Sequence, residues 1–235
     1  MERNPMKLLN SFVSPFAARA RVAIYAYALP VEIAPSGQWL ENYQKSPDFL
    51  KINPIGRVPA LLLNDGSALP ESSVIVEYLA DAFPETGLRP IDAQAASRAR
   101  LLAHIAEIYL QIPAGPLFAQ FFASQRDQQR IESCVTAMTE GVSHLNHFLP
   151  DAGLAAGPNI TIADCALAPY LFFFAERLVV SLGMDSLIPK YAKVSAYYTR
   201  IQANPAVGRV LSEMTTAIAK SPLRNLLPPS DEAPA

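Results

Sequence analysis

Apolar positions recur with two different periods along this chain, and the change of period divides it. Lys7-Leu8-Leu9-Asn10 is a short strand candidate ending at Ser11-Phe12-Val13-Ser14. Pro15 suits a first helical position, where its missing N–H costs nothing, and Ser14 suits the N-cap before it. The helix runs through Arg19, Val22, Ile24 and Tyr25 towards Leu29-Pro30, and Val31–Ala34 reads as a second strand. After a helix-like loop, Val58-Pro59 opens the apolar run Ala60-Leu61-Leu62-Leu63, which stops at Asn64-Asp65-Gly66. Asp-Gly between two strand-like runs predicts a hairpin, because Gly tolerates the positive φ of a tight turn. The chain returns through Ser67-Ala68-Leu69 to Pro70-Glu71-Ser72-Ser73, and Val74, Ile75, Tyr78 and Leu79 then share a helical face.

Phe83 to Pro90, with two prolines and a glycine, has linker composition. From Asp92 the pattern is helical almost throughout, with helices expected over 95–112, 128–149, 161–182, 186–203 and 206–219. Pro113-Ala114-Gly115-Pro116 is expected to break the first of them. The expected organisation is an α/β unit over 5–82, a linker over 83–91, an all-helical unit over 92–220 and an irregular tail over 221–235.

Composition narrows the function classes. Of 235 residues, 51% are hydrophobic and 17% charged, which describes an ordered chain able to bury a core. A net charge of −2 without a basic stripe argues against nucleic acid as a partner. Cys134 and Cys165 lie far apart without metal-like spacing, so neither a disulfide framework nor a metal site is expected. The run Cys165–Ala175 is too short to span a membrane, and the N-terminus lacks a secretory pattern. The expected location is cytoplasmic, with no membrane partner.

The chemistry concentrates at three places. A helix N-terminus offers unpaired N–H groups and a partial positive charge, so Ser72 suits a carboxylate, and Glu71 beside it suits an ammonium group. A capped helix entry accounts for Ser72 alone but leaves Glu71 incidental. A cis Val58-Pro59 bond would turn the Val58 backbone outward to pair with a peptide-like ligand as a short extra strand. Thr161-Ile162-Ala163-Asp164 is a capping-box pattern ahead of an apolar helix. His104, His144 and His147 have no partner at metal or triad spacing.

These residues carry a resemblance. The stretch Asn53–Leu79, with Val58-Pro59 and Glu71-Ser72, is similar to the cis-proline strand, hairpin and glutathione-binding turn of the glutathione S-transferases. Ser14-Pro15-Phe16 and Ile160–Asp164 match other landmarks of that family in order, so the resemblance covers most of the chain. It implies a thioredoxin-like N-terminal domain followed by a helical-bundle domain, acting as a dimeric glutathione transferase without a prosthetic group. Glutathione would be the co-substrate and a small hydrophobic electrophile the second substrate.

The resemblance also implies roles. Glu71 and Ser72 would hold the γ-glutamyl end of glutathione, Val58 its cysteinyl backbone, and Lys45 its glycine carboxylate, with Pro59 holding the Val58 backbone in place. Gln38, Trp39 and Arg57 are alternatives near Lys45. Ser14 would be the catalytic residue, as in the serine-type classes, especially the plant tau class and related bacterial enzymes; Ser11 and Asn10 are its rivals for the sulfur contact. A free thiol with a pKa of about 8.5 is only a few per cent thiolate at neutral pH, so a donor aimed at sulfur favours the anion. Phe12, Phe16, Tyr109, Leu110, Pro113, Phe118, Phe121 and Phe122 are candidates for the second-substrate pocket. In this family the Thr161–Asp164 turn serves folding. The Ser-Ser-Cys run of the maleylacetoacetate isomerases is missing after the first strand, and no cysteine stands at position 14, which disfavours isomerase and thiol-transferase roles. A glutathione-dependent isomerase, peroxidase or dehalogenase on the same scaffold, or a non-catalytic glutathione-binding or protein-interaction module, remains the alternative.

Overall fold

The computed structural model describes residues 5–34 and 43–228. Four short strands, β1 (Met6–Leu9), β2 (Val31–Ile33), β3 (Ala60–Leu62) and β4 (Ala68–Pro70), form one sheet in the order β2-β1-β3-β4. β2 runs parallel to β1, across the helix α1 (Pro15–Ala26), and the β3–β4 hairpin is antiparallel. Gly66 takes φ 85° in the hairpin turn, the conformation the Asp-Gly signal requires. Two further helices complete this unit, α2 (Pro47–Ile52) and α3 (Ser72–Ala82).

α1 begins as its sequence dictates, with Ser14 as N-cap accepting a hydrogen bond from Ala17 N at 3.2 Å and Pro15 as the first helical residue. It is buried along most of its length because it lies between the sheet and the helical unit, packing on α3, on α7 (Ile162–Tyr170) and on α10 (Pro205–Ala219). The linker is pinned rather than loose: Arg89 pairs with Glu77 and Asp81 of α3, and Ile162 N donates to Leu88 O at 2.9 Å.

The helical unit differs from expectation in two places. No break occurs at Pro113–Pro116; α4 (Ala93–Ile105) passes through a π-helical turn (Ala106–Gln111) straight into α5 (Ile112–Phe121). The wider turn accommodates Pro113, whose missing N–H leaves the Tyr109 carbonyl without its usual partner. By length and composition this continuous helix could cross a membrane, but Ala99, Leu102, Leu110 and Leu117 are buried in the protein's own core. The helix expected from Ser186 starts at α9 (Ala192–Gln202); Pro189 cannot supply an N–H to helix interior, and the chain turns there instead.

The other helices fall close to expectation. α6 spans Gln128–Phe148, and α7 continues through a π-helical stretch (Leu171–Leu178) into α8 (Val179–Ser181). The Thr161–Asp164 capping box forms, and fully buried Asp164 also accepts from Ala155 N at 3.0 Å and the Tyr197 hydroxyl at 3.0 Å. Four donors converge on one carboxylate, so this turn is a structural joint between α7, α9 and the loop before them. Cys165 beside it is buried, and burial raises its thiol far from reactivity. Beyond α10, a short turn at Arg224–Leu226 returns Leu226 to the core.

Candidate active site

Strand register collects the site. Leu9 stands opposite Ala60, and Ala60 opposite Pro70, so three connections leave the same end of the sheet. One is the loop from Asn10 to Ser14, another is Val58-Pro59 just ahead of β3, and the third is Glu71-Ser72 just after β4. The Val58-Pro59 peptide bond is cis. Neither Val58 N–H nor its carbonyl has a hydrogen-bond partner among the described residues, so this stretch offers an open donor and acceptor at a strand end.

A cleft of about 850 Å³ opens at this end. Its floor holds Val58, Pro59, Glu71, Ser72, Lys45 and Arg57, residues between positions 45 and 72 brought within one cavity. Glu71 takes φ 68°, a left-handed value unusual for a residue with a side chain, and it precedes the first turn of α3 without capping it. Such outliers persist where surrounding structure holds them, and they concentrate at ligand sites. Ser72 is buried at the N-terminus of α3, while the Glu71 side chain is exposed.

The loop ahead of Val58 is braced from within. Buried Asn53 donates through Nδ2 to Arg57 O at 2.8 Å and accepts from Ile55 N at 3.1 Å. Gly56 has φ 64°, and a Cβ there would lie 3.0 Å from Gln44 O, from Leu50 Cδ2 and from Lys45 Nζ. A side chain at this left-handed position would press on the Lys45 ammonium and on the Gln44 carbonyl, so glycine lets the lysine lie close against this loop.

The opposite wall comes from the helical unit and from α1. Glu107, Ile108 and Gln111 of the π-helical turn, Ile112 of α5, Tyr170 of α7, and Phe16 and Arg19 of α1 line it. The turn lies close to α6 because that helix carries Gly141: a Cβ there would sit 2.6 Å from Tyr109 O. Arg19, 4% exposed, pairs with Glu107 across the two units. Burial lowers the Arg19 pKa, but Tyr170 and Glu107 outweigh it, so the guanidinium is held firmly charged. Burial pushes the Tyr170 hydroxyl up to about 12, with Arg19 opposing, so it remains a donor at neutral pH, here to Gln111 Oε1 at 3.1 Å.

The sequence candidates therefore separate. Val58, Pro59, Glu71, Ser72, Lys45, Arg57 and Phe16 share the cleft. Ser14 is not among its lining side chains, but stands two residues before Phe16; its hydroxyl accepts from Ala17 N and keeps its proton free to donate. Asn10 is completely buried with neither amide atom partnered among the described residues, and Ser11 is half-buried with its carbonyl accepting from Ser14 N at 3.1 Å.

The aromatic candidates mostly lie elsewhere. Phe12 sits beneath the Arg21 guanidinium, Tyr109 packs edge-on against His144, and Phe118 belongs to an aromatic cluster with Phe121, Phe122 and Phe173. Pro113 is half-buried outside the cleft and Leu110 is fully buried. Gln38 and Trp39 lie outside the described residues. His104 is bonded to Glu107 at 3.1 Å, and His147 packs on Phe148.

Sequence reasoning missed Arg19, Glu107, Ile108, Gln111, Ile112 and Tyr170 as lining residues. The available signal was the spacing 107, 108, 111 and 112, one face of the helix expected over 95–112.

A small mixed sheet with a cis-proline at its cleft end, joined to a helical bundle, defines the thioredoxin-like plus all-α class. Family comparison gives the class its name: residues 13–82 match the glutathione S-transferase N-terminal domain, and residues 123–200 match the glutathione S-transferase C-terminal domain. The chain belongs to the glutathione S-transferase family. It is 30% identical over 188 residues to a zeta-class glutathione S-transferase of Euphorbia esula, covering 78% of this chain and 82% of that one. It is 27% identical over 209 residues to the maleylacetoacetate isomerase of Pseudomonas aeruginosa, covering 86% and 96%. A glutathione S-transferase of Methylobacillus flagellatus, solved with GSH bound, shares the fold at a TM-score of 0.73 and 23% identity, covering 87% of this chain and 98% of that one.

Proposed function

We propose that the protein conjugates glutathione to a small hydrophobic electrophile. The observation that carries this reading is the common end of the sheet, where the open Val58 backbone, the α3 N-terminus at Ser72 and the Lys45 ammonium converge on one cleft. Val58 would pair with the cysteinyl backbone, Ser72 and Glu71 would take the γ-glutamyl carboxylate and ammonium, and Lys45 the glycine carboxylate. Ser14, at the N-terminus of α1, would donate to the sulfur and stabilise the thiolate. Ile108, Ile112 and Phe16 would form the apolar side against which the electrophile rests.

The sulfur then attacks carbon. Its lone pair forms the new S–C bond while a leaving group departs with the bonding pair, or an activated alkene gains a proton from solvent. The protein contributes a larger thiolate fraction and a held orientation, which together replace a bimolecular encounter. The family setting also supports a cytosolic homodimer.

Conjugating activity against a panel of electrophiles, compared between the protein and Ser14→Ala, tests this reading. The variant is expected to lose about tenfold or more in kcat while retaining glutathione; unchanged conjugation would remove Ser14 from its role. A second reading, glutathione-dependent isomerisation, draws on the similarity to the zeta-class and isomerase relatives. Sulfur would add to a conjugated double bond, allow rotation and leave again, so glutathione would be returned. Stoichiometric consumption of glutathione during turnover favours conjugation, and turnover without consumption favours isomerisation.

A further inference from the structure

A buried charge network runs from the last helix of the chain to the loop that carries Ser14. Arg21, on α1, is completely buried. Its Nη1 donates to Glu213 Oε2 of α10 at 2.7 Å, and its Nη2 donates to the Phe12 carbonyl at 3.1 Å. The guanidinium also covers the Phe12 ring, 4.6 Å from the centroid. Glu213 is held in turn by the Tyr25 hydroxyl, 3.1 Å from both carboxylate oxygens, and by Arg209 Nε at 2.9 Å. Arg209 lies over the Tyr25 ring at 3.8 Å, closing the outer side of the network.

Burying an arginine is costly, and a purely structural tie between α1 and α10 could have been made from packed apolar side chains. What an apolar pair could not do is hold a backbone carbonyl. The planar guanidinium offers donors in a fixed fork, so one side chain fixes both Glu213 and the loop. Phe12 lies inside the turn closed by Ser14 N to Ser11 O at 3.1 Å, and this turn sets where the Ser14 hydroxyl stands.

We propose that Arg21 and Glu213 are positioning residues, through which the last helix holds the Ser11–Ser14 turn so that the Ser14 hydroxyl meets the glutathione sulfur. The inference rests on the reading of Ser14 given above. It assigns the bridge an effect on sulfur ionisation rather than on glutathione affinity, since Val58, Glu71 and Ser72 are braced separately.

The experiment is a pH titration of the thiolate ultraviolet absorbance of bound glutathione, with calorimetric affinity and thermal unfolding measured alongside. Arg21→Lys keeps the charge but lacks the fork, so it cannot hold both partners. It is expected to raise the pKa of the bound thiol by about one unit, a tenfold loss of thiolate at neutral pH, with glutathione affinity within about twofold. Ser14→Ala is expected to raise it at least as far, and the double variant no further than Ser14→Ala alone. Glu213→Gln, on a side chain that reaches the surface, supplies the same reading should Arg21→Lys fail to fold. A bound-thiol pKa unmoved in the bridge variants, or additive shifts in the double variant, would overturn the positioning role. A pKa unmoved by Ser14→Ala would instead overturn the assignment of Ser14.

Discussion

The two walls of the cleft are built by opposite means. At the sheet end, groups meet because strand register aligns short connections, and the result is an open backbone at Val58, a left-handed Glu71 and a helix N-terminus at Ser72. The Val58 backbone has no hydrogen-bond partner among the described residues and so is available to a ligand, whereas the Ser72 hydroxyl also bonds Tyr170. On the helical side, groups meet through long-range packing: Arg19 with Glu107, Tyr170 with Gln111, and Gly141 under Tyr109. There the polar lining side chains Arg19, Glu107, Gln111 and Tyr170 are already partnered, and position depends on how closely helices approach. On the proposed reading, the sheet wall would govern glutathione, whereas the helical wall would govern the second substrate and the fold.

The strongest way to break this division is at Gly141. Gly141→Val forces a side chain into the Tyr109 backbone, and overpacking of this kind costs about 1–3 kcal/mol. Denaturant unfolding should show that loss, and the displaced π-helical turn should raise KM for the electrophile while glutathione affinity holds within about twofold. A glutathione defect of the same size as the electrophile defect would mean that the walls are not independent.

The opposite wall predicts the opposite sign. Glu71→Gly removes a side chain from a conformation that disfavours one, so it is expected to stabilise the fold by up to about 1 kcal/mol while weakening glutathione binding. Thermal unfolding and calorimetry on the same preparation check both halves. Stability and affinity falling together would show that Glu71 is a packing residue.

The smallest effect belongs to Ile112, which is 64% exposed. Ile112→Ala should leave stability within about 0.5 kcal/mol, as surface substitutions usually do. It should nevertheless raise KM about two- to fivefold for apolar electrophiles and leave it unchanged for small polar ones. A uniform change across the panel would place the electrophile elsewhere in the cleft.

How far each wall was legible in the sequence follows from how it is made. Ser14-Pro15, Asp65-Gly66, Val58-Pro59 and Glu71-Ser72 announce themselves because their structure is decided by neighbours in the chain. Thr161 and Asp164 were legible for the same reason. Arg19 and Arg21 gave no sign of burial, because only the packing of α1 between the sheet, α7 and α10 encloses them. The proline pair at 113 and 116 misled the reading, since a proline's missing N–H can end a helix or widen it. Which occurs depended on Gly141, 28 positions downstream, admitting the displaced Tyr109 carbonyl. The aromatic residues at 109 and 118 illustrate a similar limit: composition marks a side chain as apolar without saying which cavity or core it joins.

The central claim is that the common end of the sheet is the glutathione site, and calorimetric titration of glutathione tests it most directly. On the proposed reading Ser72→Ala removes a hydroxyl that donates to the γ-glutamyl carboxylate, an interaction of about 1.5–3 kcal/mol, so the affinity should fall roughly tenfold to a hundredfold. Ser14→Ala, on the sulfur side, should bind glutathione within about threefold of the unsubstituted protein. Equal affinity in all three proteins, or no heat of binding in the unsubstituted one, would contradict the account.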